Sequence, residues 1–103
     1  MIGDLFSKLQ EARKKIDEAK KQLNDIIVEA RSENGEITVR ANANKALTEI
    51  RIDEKFKSVA SQDEMEGLLL QTINKALEEA ARRGEIEMKN ITRDVLPNFP
   101  GLV

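Results

Sequence analysis

IIVEARSENGEITVRANANKALTEIRID, residues 26–53, alternates apolar and polar side chains through three short runs separated by two turn signals. Period-two alternation marks strands with one buried face. Outside this stretch the period changes. Leu5, Leu9, Ala12, Ile16, Ala19, Leu23 and Ile26 recur at spacings of four and three, which places one apolar stripe along a helix. A second helical pattern follows residue 61. The order is therefore α-β-β-β-α.

The two turn signals set the register, and a slip of one residue would turn every side chain to the wrong face. Asn34-Gly35 is the pair favoured in two-residue type I′ turns, whose central positions both need positive φ. Folding there opposes Val28 to Ala41, Ala30 to Val39 and Ser32 to Ile37 on one face, and Glu29 to Arg40 on the other. A second two-residue turn at Asn44-Lys45 opposes Ala41 to Thr48, Val39 to Ile50 and Ile37 to Ile52 on the same inner face, and brings Glu49 to Arg40. Strands are predicted over about 26–33, 36–43 and 46–53. The fold class is α+β, a three-stranded antiparallel sheet flanked by an N-terminal helix and a long C-terminal helix in a single domain over 1–103.

The first helix is predicted from about residue 4, where Asp4 can cap it, to about 24. The last opens on Ser61-Gln62-Asp63-Glu64, a capping box, and runs over about 62–96 to Pro97. Unbroken, it would be about 50 Å long at ~1.5 Å per residue, roughly twice the reach of a seven-residue strand. Its far end would project beyond the sheet while carrying Met88, Ile91 and Val95. An isolated projecting helix with an apolar stripe is unstable in water. These three residues are thus expected to pack in an arm of a homodimer; the alternative is a break at Gly67 or Gly84 that folds the end back. Residues 97–103 are expected to be an irregular tail, with Phe99 in need of a surface.

Composition excludes several kinds of chemistry. The chain of 103 residues has no histidine and no cysteine, which removes thiol chemistry, imidazole acid-base catalysis and nearly every transition-metal site. No Gly-rich phosphate loop or nucleophile-base pair occurs, so a non-enzymatic protein without metal or cofactor is expected. Met1-Ile2-Gly3-Asp4 has no basic lead-in, and the longest apolar run, Leu68 to Leu70, is far too short for a bilayer. A soluble cytoplasmic protein is expected.

Seventeen basic residues against nineteen acidic ones give a net charge of -2, unlike the strongly basic balance usual for nucleic-acid binders. The excess of base lies before residue 60, in the first helix and the sheet. Lys8, Arg13, Lys14, Lys15, Lys20 and Lys21 are candidate phosphate contacts, but Asp4/Lys8, Glu11/Lys15, Arg13/Asp17, Lys14/Glu18 and Asp17/Lys21 all stand four apart, the spacing of helix ion pairs. On the sheet, Arg40 falls between Glu29 and Glu49 and is expected to be a structural salt-bridge residue. Arg31 and Arg51 fall in a row with Thr38 and no carboxylate, so they are expected to be free for phosphate. The first helix's stripe has Lys8 and Lys15 on one border and Arg13 and Lys20 on the other, which opposes parallel self-pairing. That stripe is expected to pack on the sheet and last helix of its own domain or of a partner.

Gly35 leading into Ile37-Thr38-Val39, then Ile50-Arg51-Ile52-Asp53, Ile73-Asn74-Lys75-Ala76 with Ala80-Ala81, and Leu96-Pro97 with Pro100-Gly101-Leu102 follow one another as in a known family. In that order and spacing the chain resembles the YbaB/EbfC family of bacterial nucleoid-associated proteins along its whole length. It departs from the family in a first helix rich in Lys, Glu and Asp rather than Gln and Met, and in Asn44-Lys45 where Asn-Gly is common. The resemblance implies a homodimer with projecting helical arms that binds duplex DNA with little sequence preference in the nucleoid. A different expectation rests on the same arms and tail: a module that binds another protein.

Overall fold

A computed structural model describes residues 2–95. Helix α1 spans Ile2–Gln22 and passes through a 3₁₀ turn, Leu23–Asp25, into strand β1, Ile27–Arg31. Strands β2, Ile37–Asn42, and β3, Leu47–Ile52, complete an antiparallel sheet of order β1-β2-β3. A short helix α2, Glu54–Val59, precedes the long helix α3, Gln62–Val95. The expected tail, 97–103, lies outside the described residues.

The first hairpin has the expected register, with Val28 opposite Ala41, Glu29 opposite Arg40 and Ala30 opposite Val39. Its turn is different. Only Gly35 takes positive φ, at 76°, and the Gly35 amide donates to Ser32 O at 2.9 Å. Residues 33–36 thus form a four-residue loop rather than a type I′ turn. The two loops share one register because both are symmetric about Asn34-Gly35. Side chains favour the longer one: Ser32 Oγ donates to Glu36 Oε1 at 2.8 Å and accepts from the Ile37 amide at 2.9 Å, and the Asn34 amide donates to Glu36 Oε1 at 3.0 Å.

The second hairpin corrects the expectation by one residue. Ile37 faces Ile52, Val39 faces Ile50 and Arg40 faces Glu49, but Ala41 faces Leu47 instead of Thr48 across an irregularity at Arg40/Ala41. The loop holds three residues, 43–45, closed by the Asn42 amide on Ala46 O at 2.9 Å, with Lys45 at φ 66°. Such loops end on a left-handed residue. Asn42 selects it by accepting, through Oδ1, from the amides of Asn44 at 3.0 Å and Ala46 at 3.1 Å. The bulge at Thr48 then restores the register that the alternation demands.

Helix α3 is unbroken across Gly67 and Gly84, and its capping box forms: the Glu64 amide donates to Ser61 Oγ at 3.1 Å and the Ser61 amide to Glu64 Oε2 at 3.4 Å. It covers the inner sheet face, burying Val28, Ala30, Ile37, Val39 and Ala41 against Ala76 and Ala80, with Leu68, Leu69 and Ile73 at the margin. Small residues on α3 allow the close approach. Thr72, 1% exposed, satisfies its hydroxyl on Leu68 O at 2.8 Å. The helix lies across β1 and β2 and leaves much of β3 bare, so inner-face Ile50 is 45% exposed.

Helix α2 was not expected from the sequence. Asp53 caps it through the Phe56 amide at 3.1 Å, and Phe56 closes the end of the core next to Ile52.

Beyond the sheet, α3 packs against α1. The stripe of α1 therefore meets α3, and its continuation at Leu23 and Ile26 meets the end of β2. Ala43 joins the two helices: its amide donates to Leu23 O at 3.2 Å and Ile26 O at 2.9 Å, while its carbonyl oxygen lies against the Cα of Gly84, where a Cβ would collide with it. Because α1 arrives at this point and α3 leaves it, the two run antiparallel as a two-helix arm, and the molecule measures 69 × 20 × 17 Å. Met88 and Ile91 are half-buried in this arm.

Candidate nucleic-acid interface

The outer sheet face carries an alternating chain of charges. Arg31 Nε lies 3.2 Å from Glu29 Oε2, Arg40 Nε is 3.0 Å from Glu29 Oε1 and 3.6 Å from Glu49 Oε2, and Arg51 Nε is 3.3 Å from Glu49 Oε1. Arg40 stands between the two carboxylates. Arg31 and Arg51 do not stand free: each pairs with the carboxylate two positions earlier on its own strand. Residues i and i+2 share a sheet face, so pairs along a strand compete with the cross-strand pairs that the register displays. The Arg40 hydrogen bond chiefly, with help from the charges of Arg31 and Arg40, holds the Glu29 carboxyl below its ordinary range against the opposing effect of desolvation.

On α1 the correction runs the other way. Lys8, Arg13, Lys14, Lys15, Lys20 and Lys21 are all exposed, and among the described residues none lies within 4.0 Å of a carboxylate. The pairs expected at spacing four are not formed. Four-apart pairs on an exposed helix gain only ~0.2–0.5 kcal/mol, close to the cost in rotamer freedom of two long side chains, so such pairs form at some positions and not at others. On α3 they do form, Arg83 with Glu87 at 3.1 Å and Lys89 with Glu85 at 3.4 Å, beside Arg82 with Glu79 at spacing three. The Arg82 hydrogen bond lowers the Glu79 carboxyl in turn.

Arg13, Lys14 and Lys21 border a shallow depression on α1 together with Gln10, Asp17 and Glu18. The helix that bears them is fixed at its C-terminal end. Asn44 Nδ2 donates to Lys20 O at 2.9 Å and to Asn24 Oδ1 at 2.7 Å, tying the last turn to the β2–β3 loop. Nothing in the sequence pattern singled out Asn44 for this, beyond its place in a turn. Also unforeseen is Lys75, whose Nζ donates to Arg31 O at 3.1 Å and so fastens α3 to the end of β1. It lines, with Glu78, Glu79, Arg82 and Arg83, a groove beside edge strand β1 in which both signs of charge alternate.

Among the described residues no group of three acidic, His or Cys side chains could hold a metal ion, and no helix is long and apolar enough to cross a membrane. A three-stranded sheet backed by a long helix, extended by a two-helix arm that bears exposed cations, defines a small, elongated α+β protein. The chain belongs to the YbaB/EbfC DNA-binding family, whose model matches residues 1–95. It is 29% identical over 98 residues to a nucleoid-associated protein of Flavobacterium johnsoniae, covering 95% of this chain and 91% of that one. It is also 30% identical over 88 residues to a nucleoid-associated protein of Chlorobaculum tepidum, covering 85% and 78%. The crystal structure of an uncharacterized Helicobacter pylori protein has the same fold, with a TM-score of 0.70 at 20% identity over 93% of this chain and 97% of that one.

Proposed function

We propose that this protein binds duplex DNA as a homodimer, with little sequence preference, by phosphate contacts from the cations of α1, as a non-enzymatic component of the nucleoid. The observation that carries the reading is the pairing pattern: the six α1 cations are exposed and without carboxylate partners among the described residues, while the arginines of the sheet are held in ion pairs. A phosphate that meets an unpaired lysine displaces only counterions; one that meets Arg40 must compete with two carboxylates. Arg31 and Arg51, at 67% and 74% side-chain exposure, are secondary contacts that DNA can recruit by drawing them off Glu29 and Glu49. The absence of Tyr and Trp argues against base stacking as the mode.

Support for the homodimer comes from the bare side of β3. Leu47, Ile50 and Val59 are 41%, 45% and 76% exposed, next to the half-buried Phe56. An apolar strip of this kind beside a small core calls for cover, and a second copy supplies it while bringing two arms, with twice the cations, onto one duplex. Pairing also answers the net charge of -2, because it gathers a local positive surface from a globally acidic chain.

Binding by phosphate contact depends on counterion release, so affinity must fall steeply with salt. Fluorescence anisotropy of a labelled generic duplex, titrated at several salt concentrations, is expected to give a straight log–log decline and similar affinity for unrelated sequences. Absence of binding at low salt, or binding indifferent to salt, contradicts the proposal.

A further inference from the structure

The arm is half-finished. Ala43 fixes the register of its two helices, since it touches Leu23, in the 3₁₀ turn that follows α1, and Gly84 of α3. From Gly84 to Val95, where the described part of α3 ends, is eleven residues, and eleven residues back from Leu23 along antiparallel α1 is Ala12. Burial follows this arithmetic. Ala12 is 6% exposed and is the first buried residue of α1, whereas every residue from Ile2 to Glu11 is exposed. The uncovered part continues the same apolar stripe, with Leu5 at 52%, Leu9 at 44% and neighbouring Phe6 at 61% exposure. These side chains lie beyond the level of Val95 on α1.

The chain continues at that very place. Residues 96–103, LPNFPGLV, follow Val95 and carry no charged side chain. They contain Leu96, Phe99, Leu102 and Val103 as apolar groups and two prolines that favour extended backbone. Eight extended residues reach about 26 Å, and the bare stretch of α1, ten residues at ~1.5 Å each, is about 15 Å long. We propose that residues 96–103 dock on the exposed N-terminal stripe of α1 of the same chain, over Leu5 and Leu9, and so complete the arm beyond Val95. A second copy's helix could offer a similar apolar surface, but the tether holds this segment at millimolar effective concentration, which free association does not match. The proposal stands independently of DNA binding.

The chain has no cysteine, so an engineered pair would be the sole route to a disulfide. Under mild oxidation, Leu5→Cys with Phe99→Cys is expected to close within one chain about tenfold faster than Glu11→Cys with Phe99→Cys, since residue 11 lies nearer the tether but off the stripe. A freely moving tail would reach residue 11 at least as readily, and equal or reversed rates overturn the proposal. A predominantly interchain product overturns it as well, by assigning the surface to a second copy's tail. As a check that introduces no thiol, Phe99→Asp is expected to speed hydrogen exchange of amides 3–10 about tenfold while leaving β2 unchanged. Unchanged exchange at 3–10 counts against docking.

Discussion

Gly84 lies where the β2–β3 loop crosses α3, and the Ala43 carbonyl oxygen stands too close to admit a Cβ there. Backbone against backbone has little room to give. Gly84→Ala is therefore expected to destabilise by about 1–3 kcal/mol despite alanine's better helix propensity, seen as a lower thermal midpoint. Gly67 is the control, since nothing lies within 4 Å of its would-be Cβ, and Gly67→Ala should stabilise by about 0.5–1 kcal/mol. Ser32 is a second decisive residue. Its Oγ is the partner of the fully buried Ile37 amide, so Ser32→Ala should cost about 1–2 kcal/mol. The Glu36 carboxyl over the same loop is held below its ordinary value of 4.5 by its own backbone amide first and by the Ser32 hydroxyl next. A lowered folded-state pKa means stability that is complete above the unfolded value and lost as pH falls through the folded one. Urea midpoints should thus be level from about pH 6 to 8 and decline below about 4.5, with a shallower acid decline in Glu36→Gln; superimposable acid limbs in the two proteins would refute this.

Among the elements, the sheet was the most legible from sequence, because its alternation and the pairs Glu29–Arg40 and Arg40–Glu49 agree on a single register. The loops were less so. Whether Asn34-Gly35 closes a two- or four-residue loop depends on where Ser32 and Glu36 send their side chains, and whether residues 43–45 form the second loop depends on Asn42. Period carries no record of such choices. Helix α2 escaped for a related reason: six residues give too few turns for a stripe, and only the Asp53 cap announces it. The unbroken α3 was readable from its capping box and stripe, but not that it would leave β3 uncovered, since period shows which face is apolar and not what lies over it. That uncovered strand yields a prediction at this scale. Ile50→Lys, on an already exposed position, should leave the fold intact by circular dichroism and shift sedimentation from dimer to monomer at micromolar concentration. A variant that sediments as the wild type would remove the β3 strip from the interface.

At the scale of the whole molecule, a sheet end and an arm are joined at Ala43 into a body 69 Å long. The length of α3 was legible from sequence; its companion was not. Projection beyond the sheet pointed to a second copy, whereas α1 of the same chain lies along the arm and half-buries Met88 and Ile91. The charges were misread in a similar way, because spacing along a helix states which ions could meet and not which do. Ion pairs formed on the sheet, where Glu29 and Glu49 engage three arginines, and on α3, while the α1 cations stayed open. The central claim is that these open cations carry the DNA binding. Its most direct test is the salt dependence of duplex affinity in two variants of the 103-residue chain, Lys14→Gln with Lys21→Gln on α1 and Arg31→Gln with Arg51→Gln on the sheet. The α1 variant should bind more weakly, with a log–log slope shallower by about one for each phosphate no longer neutralised, and the sheet variant should keep a slope nearer the wild type. A slope unchanged by the α1 substitutions, with the weakening found in the sheet variant instead, would contradict the account.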